Sequence, residues 1–100
     1  MGDKIEVTID VDLEPLIPGF LDNRRQDVVT LNELLDSTDW PKVQSIGHNL
    51  KGVGGGYGFM RITEIGAAIE VAAKQADTES ARQQVLALQD YLERIQVTYA

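Results

Sequence analysis

The sequence predicts an all-α protein, an antiparallel up-down four-helix bundle preceded by an extended strap. Apolar residues recur at alternating steps of three and four along most of residues 15–98, as they do on the buried side of amphipathic helices. Turn-forming residues interrupt this pattern at three places, and such short connections favour antiparallel neighbours that cross at about 20°. A chain of 100 residues, 43% of them hydrophobic, suffices for one domain with a single core.

The amino-terminal segment has a different pattern. Residues 5–13 alternate strictly between apolar and polar side chains, which is typical of an extended chain with one apolar face. No other part of the sequence offers a strand as a partner, so residues 1–13 are predicted to form a strap along the bundle. The alternative is an exposed edge that pairs with another copy of the chain.

The first helix is predicted from about Pro15 to Asp36. Pro18 has no amide hydrogen to donate, so either the helix begins near Leu16 or it bends at Pro18. Arg24 and Arg25 interrupt its apolar stripe. They are either solvated charges, or one of them flanks the histidine of the second helix and helps to attract an acidic partner surface.

The second helix, at about residues 40–55, contains the only histidine of the chain, His48, and begins after Asp39, a natural amino-terminal cap. Its apolar positions cluster on one side at about 100° per residue, and they are Val43, Ile46, Leu50 and Val53. His48 lies about 180° from the centre of that side, so its imidazole is predicted to face solvent.

Two further helices complete the predicted bundle. The third runs from about Phe59 to Ala76 and the fourth from about Thr78 to Thr98, with Asp77 or Thr78 as the cap of the fourth. Both carry apolar residues at heptad-like spacing, which predicts a helical hairpin.

Folding the third helix back onto the second places Gly66 and Ala67 level with His48. Small residues there serve either close helix packing or the approach of another domain to the ring. Glu70 lies one turn further, where its carboxylate is placed to accept a hydrogen bond from the imidazole.

The predicted helix surface around His48 is formed by Gln44, Lys51, Gly52 and Gly55. Lys51 can bring its ammonium to a group attached to the ring, and a flexible point charge suits a phosphoryl oxygen. A glycine inside a helix costs roughly 0.5–1 kcal/mol relative to alanine. No core packing accounts for Gly52, so we interpret it as space that is needed beside the ring.

The residues His48-Asn49-Leu50-Lys51-Gly52, with a further glycine at Gly58, resemble the H-x-L-K-G…G signature of histidine phosphotransfer (HPt) domains. The resemblance extends from about residue 13 to residue 98 and identifies residues 1–100 as one HPt domain of the small stand-alone type. It implies a four-helix bundle whose phosphoacceptor, His48, takes a phosphoryl group from a receiver-domain aspartate and gives it to another. Glu70 matches by spacing the carboxylate that orients the ring in the related domain of chemotaxis kinases.

The amino-acid composition and charge of the chain disfavour several classes of partner and activity. A formal net charge of −7 disfavours nucleic acid and anionic membrane as partners. With no cysteine and one histidine, neither a disulfide nor a transition-metal site is expected. The glycines match neither nucleotide-binding pattern, G-x-x-x-x-G-K-[ST] or G-x-G-x-x-G, so we expect a phosphocarrier and not an ATP-dependent kinase. No signal peptide or membrane span is recognisable, so we expect a cytoplasmic protein.

The expected partners are response-regulator receiver domains, a hybrid sensor histidine kinase, or both, and we expect the chain itself to be a monomer. It needs no cofactor of its own, because the divalent cation that neutralises charge during transfer belongs to the receiver. The alternative from a different class of function is a helical protein-interaction module that never carries phosphate.

Overall fold

Four α-helices dominate the structure, a computed structural model that describes residues 3–100. They are α1 (Ile17–Asp36), α2 (Trp40–Gly54), α3 (Met60–Lys74) and α4 (Thr78–Arg94). Short 3-10 helices cover Val11–Leu16 and Gly55–Tyr57, and two strands, β1 (Ile5–Ile9) and β2 (Ile95–Tyr99), lie near the termini. The predicted all-α fold, a helical bundle, is confirmed.

Side-chain caps define where two of the helices begin. The carboxylate of Asp39 accepts a hydrogen bond from the backbone N–H of Lys42, and that of Asp77 accepts one from the backbone N–H of Ser80. Each cap satisfies an amide that has no partner inside its own helix. α1 starts at Ile17 with a proline in its first turn, so of the two alternatives for Pro18 the structure shows a helix that begins near Leu16.

The predicted strap is a strand with a partner, and here the sequence interpretation was incomplete. β1 pairs with β2 in parallel, in the register Ile5↔Ile95 to Ile9↔Tyr99. The fourth helix was predicted to reach Thr98, but it ends at Arg94 and the chain continues as β2. Residues 95–99 alternate in exposure as a half-buried strand does, and their apolar side chains pack against the core.

The core lies between the four helices, and apolar side chains of both strands pack against it. Its largest fully buried side chains are Phe59, Ile9, Ile17, Leu31, Leu35, Leu50, Ile62, Ile65, Ile69 and Leu88. Phe20 stacks on Phe59 and on Tyr57, with ring centroids 5.4 and 4.4 Å apart, and these contacts tie α1 to the connection between α2 and α3. None of the helices within residues 3–100 is long and apolar enough to cross a membrane.

The two adjacent arginines of α1 have different surroundings. Arg24 is buried, places its guanidinium 4.8 Å from the centre of the Phe20 ring, and donates from Nε to Asp27 at 2.8 Å. Arg25 is exposed and pairs with Asp22 at 2.9 Å. Solvated charge therefore describes Arg25 but not Arg24, and each guanidinium is paired with a carboxylate of its own helix.

Candidate functional site

His48 stands on the outer side of α2, and 73% of its side chain is exposed. The buried positions of the helix, which include Val43, Gly47 and Leu50, face the core and the neighbouring α3. The ring is nevertheless held at one nitrogen, because Nδ1 lies 3.0 Å from Oε2 of Glu70 on α3. The arrangement leaves Nε2 as the nitrogen without a protein partner among the described residues.

The carboxylate of Glu70 sets the tautomer of this ring. Its side chain is only 12% exposed. Burial would raise the pKa of Glu70, but the hydrogen bond and charge of His48, together with the charges of two lysines, outweigh that effect, and the pKa lies below its ordinary value. An ionised carboxylate can only accept hydrogen bonds, so Nδ1 carries the proton and Nε2 of the neutral ring keeps its lone pair.

Lys51 reaches the same carboxylate from the other side. Its Nζ lies 3.7 Å from Oε1 of Glu70, while Oε2 contacts His48. Positive charge from Lys51 and then from Lys74 further lowers the pKa of Glu70. A half-exposed ammonium is thus kept close to the ring without a direct contact to it.

The glycines of the predicted site have three different surroundings. A methyl group at Gly52 would have no atom within 4 Å, so this position beside the ring opens to solvent. At Gly55 a methyl group would meet the Met60 sulfur at 2.9 Å. Gly58 has a φ of +94°, and its missing side chain makes room for Ile9 of β1, so it shapes the turn instead of the surface near His48.

Gln44 borders a shallow cleft on the amino-terminal side of the histidine. The cleft has a volume of about 400 Å³ and is lined by Pro41, Gln44, Ser45, His48 and Glu70. The structure therefore brings together Gln44, His48, Lys51, Gly52 and Glu70 from the predicted set.

Close contact between α2 and α3 explains another pair of glycines. A methyl group at Gly47 would meet the backbone nitrogen of Glu70 at 2.7 Å, and one at Gly66 would collide with the backbone nitrogen of Lys51. Of the two alternatives for Gly66, close helix packing is the one that the structure supports. This packing is also what brings Glu70 within reach of His48.

Thr63 is a residue at the site that the sequence did not single out. Its hydroxyl donates to the carbonyl of Lys51 at 2.9 Å and accepts from the backbone N–H of Gly55 at 2.7 Å. A threonine in an amphipathic helix gives no local signal of such a contact, because the carbonyl that it binds lies 12 residues away.

The arrangement combines an exposed nitrogen nucleophile, a carboxylate that orients it, a nearby cation and open space on one side. Such a set can carry a group that a partner delivers and removes. Within residues 3–100, no group of three or more histidine, aspartate or glutamate side chains is placed to hold a metal ion.

Comparison with known families agrees with this geometry. A family model described as Hpt domain matches residues 16–98. Neither a curated protein nor a solved structure matches the chain significantly. Hpt domains serve in histidine phosphotransfer within phosphorelays, where they interact with response-regulator receiver domains and with kinases. Because the match covers most of its 100 residues, the chain belongs to the Hpt domain family.

Proposed function

We propose that His48 is the phosphoacceptor of this domain, that it takes a phosphoryl group on Nε2 from the aspartate of a receiver domain, and that it passes the group to a second receiver. The observation that carries the proposal is the contact between Nδ1 of His48 and Oε2 of Glu70, at 3.0 Å, on a ring that is 73% exposed. One nitrogen is occupied and the other is available to a partner.

The transfer step follows from the tautomer. The lone pair of Nε2 attacks the phosphorus of the aspartyl phosphate, an N–P bond forms, and the P–O bond to the aspartate breaks. The carboxylate leaves with the bonding electrons, and no proton has to leave Nε2. The ring gains positive charge while Nδ1 keeps its proton, and the carboxylate of Glu70 stabilises that charge. Transfer to the second receiver reverses these bond changes.

Lys51 and Gly52 have complementary roles in this proposal. The ammonium of Lys51 offsets the negative charge of the phosphoryl oxygens as they approach Nε2. Gly52 leaves open the space through which the receiver brings its aspartate into line with the ring. Gln44 borders the approach on the amino-terminal side of the ring.

Charge along the chain supports a receiver as the partner. Residues 40–74, which form α2, α3 and their connection, contain four basic and two acidic residues, whereas the rest of the chain contains five basic and fourteen acidic residues. A receiver site that holds an aspartyl phosphate and a divalent cation is rich in carboxylates, so this part of the chain is the favourable one for docking. The cation comes with the receiver, and we propose that this chain adds neither ATP nor a cofactor.

We also propose that the protein acts as a cytoplasmic monomer. Its strong net negative charge makes copies of the chain repel one another, and transfer requires only one exposed ring per encounter.

The proposal is tested by mixing the protein with a panel of receiver domains that have been phosphorylated with a radiolabelled small-molecule phosphodonor. The expected result is acid-labile, base-stable label on His48, absent from His48→Gln, whose circular dichroism is unchanged. Incubation with radiolabelled ATP alone should leave the protein unlabelled. Label on serine, threonine or aspartate would contradict the proposal. A protein that binds receivers but never takes label would instead be the interaction module that carries no phosphate.

A further inference from the structure

At the end of α2 a side chain from α3 hydrogen bonds to the backbone of Lys51, the residue that carries the site's cation. In an unbroken helix the N–H of Gly55 would donate to the carbonyl of Lys51, four residues earlier. Here the hydroxyl of Thr63, on α3, hydrogen bonds to both of these groups. It accepts from the N–H of Gly55 at 2.7 Å and donates to the carbonyl of Lys51 at 2.9 Å.

The surroundings show that these two hydrogen bonds depend on close packing between α2 and α3. A methyl group at Gly54 would meet Oγ1 of Thr63 at 2.8 Å and its backbone nitrogen at 2.6 Å, so only a glycine lets the hydroxyl approach so closely. The backbone nitrogen of Lys51 also lies close to α3, because a methyl group at Gly66 would collide with it. The backbone of Lys51 is therefore packed against α3 near its nitrogen and hydrogen-bonded to α3 at its carbonyl.

We propose that Thr63 is a positioning residue for phosphoryl transfer and that it acts through Lys51. The hydroxyl fixes the last turn of α2 at Lys51, and this fixes the direction from which the ammonium reaches towards His48 and Glu70. The phosphoryl group needs this cation at a defined place only as it arrives on Nε2, so Thr63 affects the transfer step more than the binding of the receiver. The inference rests on the proposed role of His48.

Thr63→Val removes the hydroxyl and keeps the shape of the side chain, so it isolates the hydrogen bonds. The expected loss in the maximal rate of transfer from a phosphorylated receiver is about tenfold, less than the about 100-fold that a 1 Å displacement of a reacting group can cost. For Thr63→Val the receiver concentration at half-maximal rate should stay within about twofold of the wild-type value. Thr63→Ser retains a hydroxyl, so both its maximal rate and its receiver concentration at half-maximal rate should stay within about twofold of the wild-type values. Thr30→Val is the matched control, since Thr30 is a half-buried threonine of α1 far along the chain from the site.

A double-mutant cycle with Lys51→Ala separates positioning from general stability. If Thr63 acts through Lys51, Thr63→Val should cause no further loss in the Lys51→Ala background. If the effect of Thr63→Val is purely structural, its fold-loss in transfer rate should instead multiply with that of Lys51→Ala. Either that result or a wild-type rate for Thr63→Val would overturn the inference. Thr63→Ala replaces Thr63→Val if the latter does not fold, and loss of the fold in both would show that the hydroxyl is structural. Absence of label on His48 of the wild-type protein would count against the proposed function itself.

Discussion

Nδ1 of His48 lies 3.0 Å from Oε2 of Glu70, although the two residues are 22 positions apart and belong to different helices. The contact depends on how closely α2 and α3 approach, because a side chain at Gly47 would meet the backbone of Glu70. A glycine on the packed side of α2 thus determines the chemistry of a histidine on its exposed side. The carboxylate orients the ring and also holds the ammonium of Lys51 nearby.

The first prediction concerns the charge of Glu70. Glu70→Gln keeps the size of the side chain but removes the negative charge that stabilises the ring as Nε2 is phosphorylated. Transfer from a phosphorylated receiver should slow by on the order of tenfold. This is the lower end of the loss in activity that is usual when a residue that orients a functional imidazole is replaced. Glu64→Gln, an exposed change on the same helix, should transfer at the wild-type rate. Equal rates for all three proteins would remove Glu70 from the mechanism.

The second prediction concerns the ammonium of Lys51. Lys51→Ala should slow transfer, because the charge that meets the phosphoryl oxygens is lost, while the free energy of unfolding should change by no more than about 0.5 kcal/mol, as is usual for exposed positions. Lys42→Ala is the control, since Lys42 is an exposed lysine of α2 that pairs with Asp39. Rates from quenched-flow labelling and unfolding in urea provide the two measurements. If the two variants slow transfer equally, general charge and not Lys51 is responsible.

The third prediction follows from the lowered pKa of Glu70. The ionised carboxylate stabilises the folded state at pH values above its unfolded pKa of about 4.5, and this contribution is lost as the pH falls through the lower folded pKa. The melting temperature of the wild-type protein should therefore fall more steeply below pH 4.5 than that of Glu70→Gln. Thermal melts of both proteins between pH 7 and pH 3 test this. Parallel curves over that range would show that Glu70 is not stabilised in its ionised form.

The fourth prediction concerns the contact between α2 and α3. Gly66→Ala places a methyl group against Leu50 at 2.7 Å and against the backbone of Lys51, so we expect a loss of about 1–3 kcal/mol in the free energy of unfolding, the usual cost of overpacking. Gly19→Ala, at a helical glycine with open space, should be neutral or stabilising. Denaturant unfolding of the two variants makes the comparison. A Gly66→Ala protein as stable as the wild type would mean that the two helices separate easily.

Local patterns in the sequence predicted most of the bundle. The positions of the four helices and the caps Asp39 and Asp77 follow from periodicity and from residues near each helix start. The outward direction of His48 follows from helical phase alone. These features depend on neighbours within one or two turns, which a single sequence displays.

Features that depend on distant residues were missed. Ile95 and Tyr99 fit the spacing of α4 as well as that of a strand, and the partner that decides between them lies 90 residues earlier in β1. The burial of Arg24 depends on Phe20, whose ring stacks on Tyr57 and Phe59 far along the chain, although Asp27 three residues later was a visible partner. The role of Thr63 needed the register between α2 and α3, which local periodicity does not determine.

The last prediction concerns Gly52, where stability and function should move in opposite directions. Gly52→Ala should raise the free energy of unfolding by up to about 1 kcal/mol, because alanine loses less backbone entropy in a helix and the added methyl group meets no neighbour. Gly52→Gln introduces a good helix former but places a long side chain one turn from His48, in the space that the receiver needs. We expect this variant to melt as a folded bundle and to accept phosphate much more slowly.

Gly19 provides the matched control for that experiment. It is also a helical glycine with no atom within 4 Å of a would-be side chain, but it lies near the start of α1. Gly19→Gln should therefore gain helix stability as Gly52→Gln does, and it serves as the control for stability alone because Gly19 shares a groove with Asn49 and Val53 of α2. Normal transfer by Gly52→Gln would show that the glycine does not serve access to the ring. Unfolding of Gly52→Gln, with Gly19→Gln intact, would show that this side of α2 is packed and not open.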